Sequence, residues 1–113
     1  MKYDKGKPKI HLVPSDAIYA IASVFGFGAE KYGENNWRKD IHKYPYSRHY
    51  SSIMRHMLAF HSGEDTDPES GLPHLAHAMT QMMILYMTTL EAPEMDDRFK
   101  PETDDAERDD HPC

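Results

Sequence analysis

A chain of 113 residues, 39% of them hydrophobic, is sized for one domain, with a core modest enough that pairing of subunits is expected to complete it. Its net charge of −6 is unevenly placed: ten Lys/Arg match ten Asp/Glu over residues 1–92, whereas three face nine over 93–113, which argues against a nucleic acid polymer or a membrane surface as partner. The single cysteine, Cys113, allows no internal disulfide or zinc knuckle, residues 1–8 do not read as a signal peptide, and no run nears the roughly 20 apolar residues of a membrane span, so a reducing, cytoplasmic setting is expected.

Residues 1–13, rich in Lys and broken by Gly6 and Pro8, read as an extended or irregular arm. Ser15 is placed to cap a first helix, with Asp16 in its first turn. Ile18, Ile21, Ala22, Phe25, Ala29 and Tyr32 then recur at helical spacing. Gly26 and Gly28 mark either a close backbone approach or a kink, and Gly33 is the stop. Residues 34–46, ENNWRKDIHKYPY, form a polar and aromatic loop. Ser47 can cap a second helix whose stripe is Tyr50, Ile53, Met54, Met57, Leu58 and His61, ended by Gly63.

Residues 64–71, EDTDPESG, make a compact acidic turn. A third helix opens near residues 72–74 with Pro73 in its first turn, runs through Leu75, Met79, Met82, Met83, Leu85, Tyr86 and Leu90, and stops at Pro93. The methionines at helical spacing read as adaptable core and subunit interface. The pattern predicts an all-α fold: a small bundle of three main helices with an extended N-terminal arm over residues 1–92, completed by oligomerisation. An acidic, disordered tail over 93–113 is expected to follow.

The densest chemistry is Glu64, Asp65, Asp67 and Glu69 followed by His74 and His77. Four carboxylates sit at a helix junction, and the two imidazoles share one face of the third helix, which Gln81 continues. Oxygen-rich clusters favour Mg²⁺ or Mn²⁺, and imidazoles favour Zn²⁺, Fe or Mn²⁺. An antiparallel hairpin would bring His61 and the carboxylates nearest His74, with His56 about a turn further along and His49 a heptad earlier. The plainer reading is that the acids satisfy a helix N-terminus and the imidazoles pack. A second group closes the first helix: Glu30 could be a metal ligand or general base, Lys31 and Arg38 could neutralise phosphates, and Trp37 could stack on a base or plug the bundle end. Lys2, Lys5, Lys7 and Lys9 could close over a triphosphate or remain solvated. There is no phosphate-binding Gly-rich loop, nucleophile elbow or zinc-protease motif.

The segments KYDKGKPKIHLVP, GFGAEKYGENNWRK and RHMLAFHSGEDTDPESGLPHLAHA resemble the phage and bacterial dATP/dGTP diphosphohydrolases, the MazZ-like family related to the all-α MazG-type pyrophosphohydrolases. The resemblance covers residues 2–90. It implies cleavage of dGTP or dATP to monophosphate and pyrophosphate, with Mg²⁺ or Mn²⁺ (Co²⁺ or Zn²⁺ as further options), by a homodimer or homotetramer in the host cytoplasm of a phage-encoded chain. Carried onto the matching positions, it gives Glu30, Glu64, Asp67 and His56 catalytic work. Glu30, Glu64, Asp65, Asp67, His74 and His77 become metal ligands, and Lys7, Lys31, Asn36, Trp37, Arg38 and Arg55 substrate contacts. The chain departs from the wider MazG pattern in having no Glu-Glu-x-x-Glu, and His74-x-x-His77 stands where Glu-x-x-Asp is usual. Two alternatives stay open: a non-catalytic nucleotide-binding protein, and a helical adaptor whose histidines only pack.

Overall fold

The computed structural model describes residues 5–101; Lys2, Cys113, His111 and the acidic residues from 102 onward lie outside them. Helix α1 spans Ser15–Tyr32, α2 Asn36–Lys39, α3 Tyr46–His61 and α4 His74–Glu91, with single 3-10 turns at Ile10–Leu12 and Pro93–Met95. The all-α expectation holds, and among the described residues the one β feature is an isolated bridge between Thr66 and Pro73. Helices α3 and α4 form an antiparallel hairpin, α1 packs on α4, and α2 packs on α1. The one-turn helix α2 falls in the segment expected to be loop.

The helix starts differ from the sequence expectation. Ser15 and Ser47 lie inside their first turns, and Pro14, Pro45 and Pro73 occupy the three N-cap positions with φ of −60°, −73° and −59° and no side-chain cap bond. A proline ring holds φ near −65° and has no N–H to satisfy, so it launches a helix without a capping oxygen. Ser47 bonds elsewhere: its amide donates to Asp97 Oδ1 at 3.0 Å and its hydroxyl to Asp97 Oδ2. The Asp97 carboxylate thus faces the positive end of α3 from fifty residues away. Glu94 similarly meets His42 Nδ1 at 2.5 Å, so the first part of the acidic segment touches the helical body. The stops behave as expected. The Gly33 amide donates to the Ala29 carbonyl at 2.8 Å with φ of +97°, a backbone conformation that favours glycine.

Burial falls on unexpected faces. The inward residues of α3 are Tyr46, His49 and Ile53, and those of α4 are His74, Ala76, Ala78, Thr80 and Thr88; α1 buries none fully. Much of the apolar stripe read from the sequence is outside: Ile18, Tyr32, Tyr50, Leu58, Met82, Tyr86 and Leu90 are each about half exposed or more. Apart from Tyr46 and Ile53, the buried residues of the hairpin are histidines and small side chains, and most bulky apolar side chains of the stripe face outward.

Gly26 admits no close neighbour, since a Cβ added there meets no atom within 4 Å, and α1 runs through it as one continuous helix. Gly26→Ala is therefore expected to stabilise the fold by about 0.5–1 kcal/mol, through the helix penalty that glycine carries. A urea midpoint at or below the wild-type value would contradict this.

Candidate active site

The turn between α3 and α4 places the site. After α3 the chain folds back: the Glu64 amide donates to the Ala59 carbonyl at 3.0 Å, Asp67 N–H to Leu72 O at 2.8 Å, and His74 N–H to Asp65 O at 2.9 Å. The last bond satisfies an orphan amide of the α4 N-terminus. Asp67 Oδ1 accepts from the amides of Glu69 and Ser70 at 2.7 and 3.3 Å, an Asx turn that fixes the carboxylate. Because the turn doubles back along α3, the start of α4 meets His56 and not His61, which is exposed at the helix end.

His56, His74 and Asp67 converge. His56 Nδ1 lies 2.9 Å from His74 Nδ1 and 3.9 Å from Asp67 Oδ2, and the three residues each offer a donor atom within 4.8 Å of the others. His74, 4% exposed, directs Nε2 at Glu64 Oε1 at 2.6 Å. A carboxylate only accepts, so Nε2 carries a proton, and in the neutral ring Nδ1 then presents its lone pair to the cluster. His77 stacks on His56 with ring centroids 4.7 Å apart and planes 6° from parallel, and its Nε2 bonds the Ser70 hydroxyl at 2.7 Å. From α1, Phe27 meets His77 edge-on at 6.5 Å. One heptad before His56, His49 Nδ1 bonds the Gln81 amide at 2.7 Å.

The electrostatics follow burial and hydrogen bonding. Desolvation first, then the His77 and His74 rings, hold the His56 pKa below its ordinary value; desolvation likewise lowers His77. For Asp67, desolvation pushes upward, but the Glu69 and Ser70 amides outweigh it and keep the carboxyl below its ordinary range. These directions favour neutral imidazoles beside an ionised carboxylate, the protonation states that ligate cations.

This cluster adjoins a cleft of about 1280 Å³ walled by parts of all four helices and the acidic turn. His56, Asp67 and His77 line it, as do Lys31, Asn36, Trp37, Arg38 and Arg55. Arg38 lies over the Trp37 ring at 4.6 Å, and Phe25 backs that ring at 5.9 Å. Lys31 pairs with Glu69, which also lines the cleft, and the pair raises the Lys31 pKa. Asn36 Nδ2 is 3.4 Å from Asp40.

Other expected site residues lie elsewhere. Glu30 is exposed on α1 and outside the cleft wall, where its neighbour Lys31 faces. Adjacent residues on a helix point about 100° apart, so closeness in a motif did not carry Glu30 to the cluster. Lys7 is exposed on the arm, away from the cleft lining, and the exposed Asp65 contributes its backbone carbonyl to α4. Glu64 reaches the cluster through His74 and does not line the cleft. Glu69, His49 and Gln81, which the sequence sets beside the cluster without a role of their own, also line the cleft; Ser70 lines it too, and no site signal in the sequence singles it out.

His49 also carries a stability prediction. Burial, and secondarily the Arg48 charge, lower its pKa below the ordinary value. The unfolded chain takes up this proton at higher pH than the folded one, so the contribution is complete above about pH 6.5 and is lost as pH falls through the folded value. Urea midpoints are expected to drop between about pH 7.5 and about pH 5.5, and to drop less in His49→Gln than in wild type. Equal drops would contradict the assignment.

Residues 1–98 match the family model described as dATP/dGTP diphosphohydrolase, N-terminal. The chain is 32% identical over 98 residues to a protein of Salmonella phage PMBT28 named dATP/dGTP diphosphohydrolase, an alignment that covers 87% of this chain and 32% of the relative. The chain thus spans about a third of that relative's length. No solved structure matches.

Proposed function

The chain belongs to the dATP/dGTP diphosphohydrolase family, and from that premise we propose that it is an enzyme releasing pyrophosphate from dATP and dGTP in the cleft between α1 and the α3–α4 hairpin. The observation that carries this reading is the meeting of His56, His74 and Asp67 beside a cleft that also holds Trp37, Arg38, Lys31 and Arg55.

The donor set fits a divalent cation. Two nitrogens 2.9 Å apart have about the separation of cis ligands at bonds of about 2.0–2.1 Å, and a fixed carboxylate stands alongside. A mixture of two imidazoles and one carboxylate suits Mn²⁺, Co²⁺ or Zn²⁺ better than Mg²⁺, which prefers oxygen. His56, His74 and Asp67 would hold the cation, with Glu64 behind His74 as the carboxylate that fixes the ligating tautomer. When bound, it would offset charge on the phosphates and lower the pKa of water.

The chain's own side chains do the rest. Lys31, Arg38 and Arg55 neutralise phosphate oxygens, and Lys31 leaves Glu69 to do so. Arg38, which lies over the Trp37 ring, leaves that face when it turns to the phosphates, and Trp37 then stacks on the base there, with Asn36 beside it as a polar contact. His77 holds the His56 ring by stacking, and Ser70 holds His77. Water attacks the α-phosphorus, the bond to the α–β bridging oxygen breaks, and pyrophosphate departs; positioning and charge neutralisation supply most of such a reaction's acceleration.

The outward apolar residues of α1, α3 and α4 support a homodimer or homotetramer that covers them. No described helix is long and apolar enough to cross a membrane, and a nucleotide substrate accords with a cytoplasmic setting.

Incubating the protein with each of the four common deoxynucleoside triphosphates and Mn²⁺, Co²⁺ or Mg²⁺ tests the proposal. The expected products are dAMP or dGMP with pyrophosphate. Bound but unchanged dATP and dGTP would overturn it in favour of nucleotide sequestration.

A further inference from the structure

We propose that Gln81, oriented by His49, reads the six-position of the purine and can turn either end of its amide toward the cleft, so that one side chain accepts both a 6-amino and a 6-oxo base. This deepens, and rests on, the purine triphosphate reading above. Gln81 and His49 both line the cleft, as does Trp37. Gln81 lies seven residues beyond His74 on α4, about 10 Å along the helix, a separation comparable to that between a nucleotide's phosphates and the far edge of its base.

The bond between the two side chains can be made in two ways. With the Gln81 amide nitrogen donating to the His49 Nδ1 lone pair at 2.7 Å, the neutral ring carries its proton on Nε2 and the Gln81 carbonyl is free for a ligand. With the amide turned over, Nδ1–H donates to Oε1, the Nε2 lone pair is bare, and the amide N–H₂ is free. The partner of a ring's second nitrogen normally decides between such states. Here that nitrogen, His49 Nε2, is buried and has no hydrogen-bond partner among the described residues. No described residue on the far side of the ring fixes the tautomer, so none fixes the amide. Burial and the Arg48 charge keep the ring in the neutral form that the exchange requires. The free carbonyl accepts from a 6-amino group, and the free amide donates to a 6-oxo group.

The test compares kcat/KM for dATP and dGTP in wild type and Gln81→Glu. A carboxylate only accepts, so the dATP-to-dGTP ratio is expected to rise on the order of tenfold to a hundredfold, the scale of one mispaired polar contact. The ratio cancels the general effect of adding negative charge near a triphosphate. Wild type alone provides a second measurement: the deoxynucleoside triphosphate of 2-aminopurine, which has hydrogen at the six-position, should fall below dGTP by a similar factor. The positioning role of His49 is read from imidazole ¹⁵N spectra with α,β-methylene analogues, expected to show the proton on Nε2 with the adenine ligand and on Nδ1 with the guanine ligand. A purely structural His49 would show one tautomer with both. An unchanged ratio, an unimpaired 2-aminopurine substrate or a single tautomer would overturn the inference and leave pyrophosphate release standing. Failure of wild type to turn over any purine triphosphate would overturn both.

Discussion

His74→Ala is expected to reduce turnover of dATP and dGTP to near background and to weaken Mn²⁺ binding by about a hundredfold or more. His74 is 4% exposed and is the link between Glu64, 2.6 Å from its Nε2, and His56, 2.9 Å from its Nδ1. Its loss removes a ligating nitrogen and frees the neighbouring ligand to rotate; loss of an orienting group alone typically costs tenfold to a hundredfold. Glu64→Gln separates the two roles. The amide oxygen still accepts from Nε2–H, but the charge that raises the ring's basicity is gone, so a loss of about tenfold is expected. Kinetics and Mn²⁺ titration of both variants, with thermal melts to confirm folding, make the comparison. Glu64→Gln as damaging as His74→Ala would mean that Glu64 is itself a ligand.

Ile53→Ala is expected to cost about 2–4 kcal/mol of folding free energy, the usual range for emptying a buried aliphatic site. The reason is the composition of the seam. Ile53 is 6% exposed, and the other large apolar side chains buried among the described residues are Ile41 and Tyr46. The remaining inward positions are alanine, threonine and histidine, which offer little surface to collapse into the gap. Against the roughly 5–15 kcal/mol that stabilises a typical domain, this one substitution removes a large share. Leu58, 59% exposed on the same helix, provides the contrast. Leu58→Ala should cost well under 1 kcal/mol in a monomer, and more, with a dependence on protein concentration, where a second copy covers it. Urea unfolding at two concentrations distinguishes these outcomes.

The parts of the fold that were legible in the sequence are those governed by local chemistry. Gly33, Gly63 and Pro93 mark where the helices stop because each acts through its own backbone. The acidic turn was legible for the same reason: Asp67 can cap its own neighbours. The facing of the helices was not. Periodicity shows that a stripe exists, and the habit of turning the apolar stripe inward fails when the inward face carries histidines. Tyr50 and Leu58 belong to the apolar stripe and Met82 to the methionines read as core and subunit interface, yet all three are exposed, whereas His49 and His74 are buried. The helix starts lie one residue (Pro14 for Ser15) and two residues (Pro45 for Ser47) earlier than the serines suggest, because proline's fixed φ fills the N-cap position here.

The candidate site divides along the same line. That His56 and His74 meet could be anticipated from an antiparallel hairpin, but the register depended on how the turn folds back through the bonds from Glu64 to Ala59 and from His74 to Asp65. No local pattern encodes that. Glu30 was grouped with the carboxylates because it shares a motif with Lys31 and Trp37, and the helix turns it to the outside face while Lys31 and Trp37 line the cleft.

Mn²⁺ titration of tag-free protein, read by pulsed electron paramagnetic resonance, addresses the cation centre most directly. One saturable site per chain is expected, with magnetic coupling to imidazole nitrogen that disappears in His56→Ala and persists in Glu30→Ala. Saturable Mn²⁺ binding without nitrogen coupling, or binding lost in Glu30→Ala and retained in His56→Ala, would contradict a centre built from His56, His74 and Asp67.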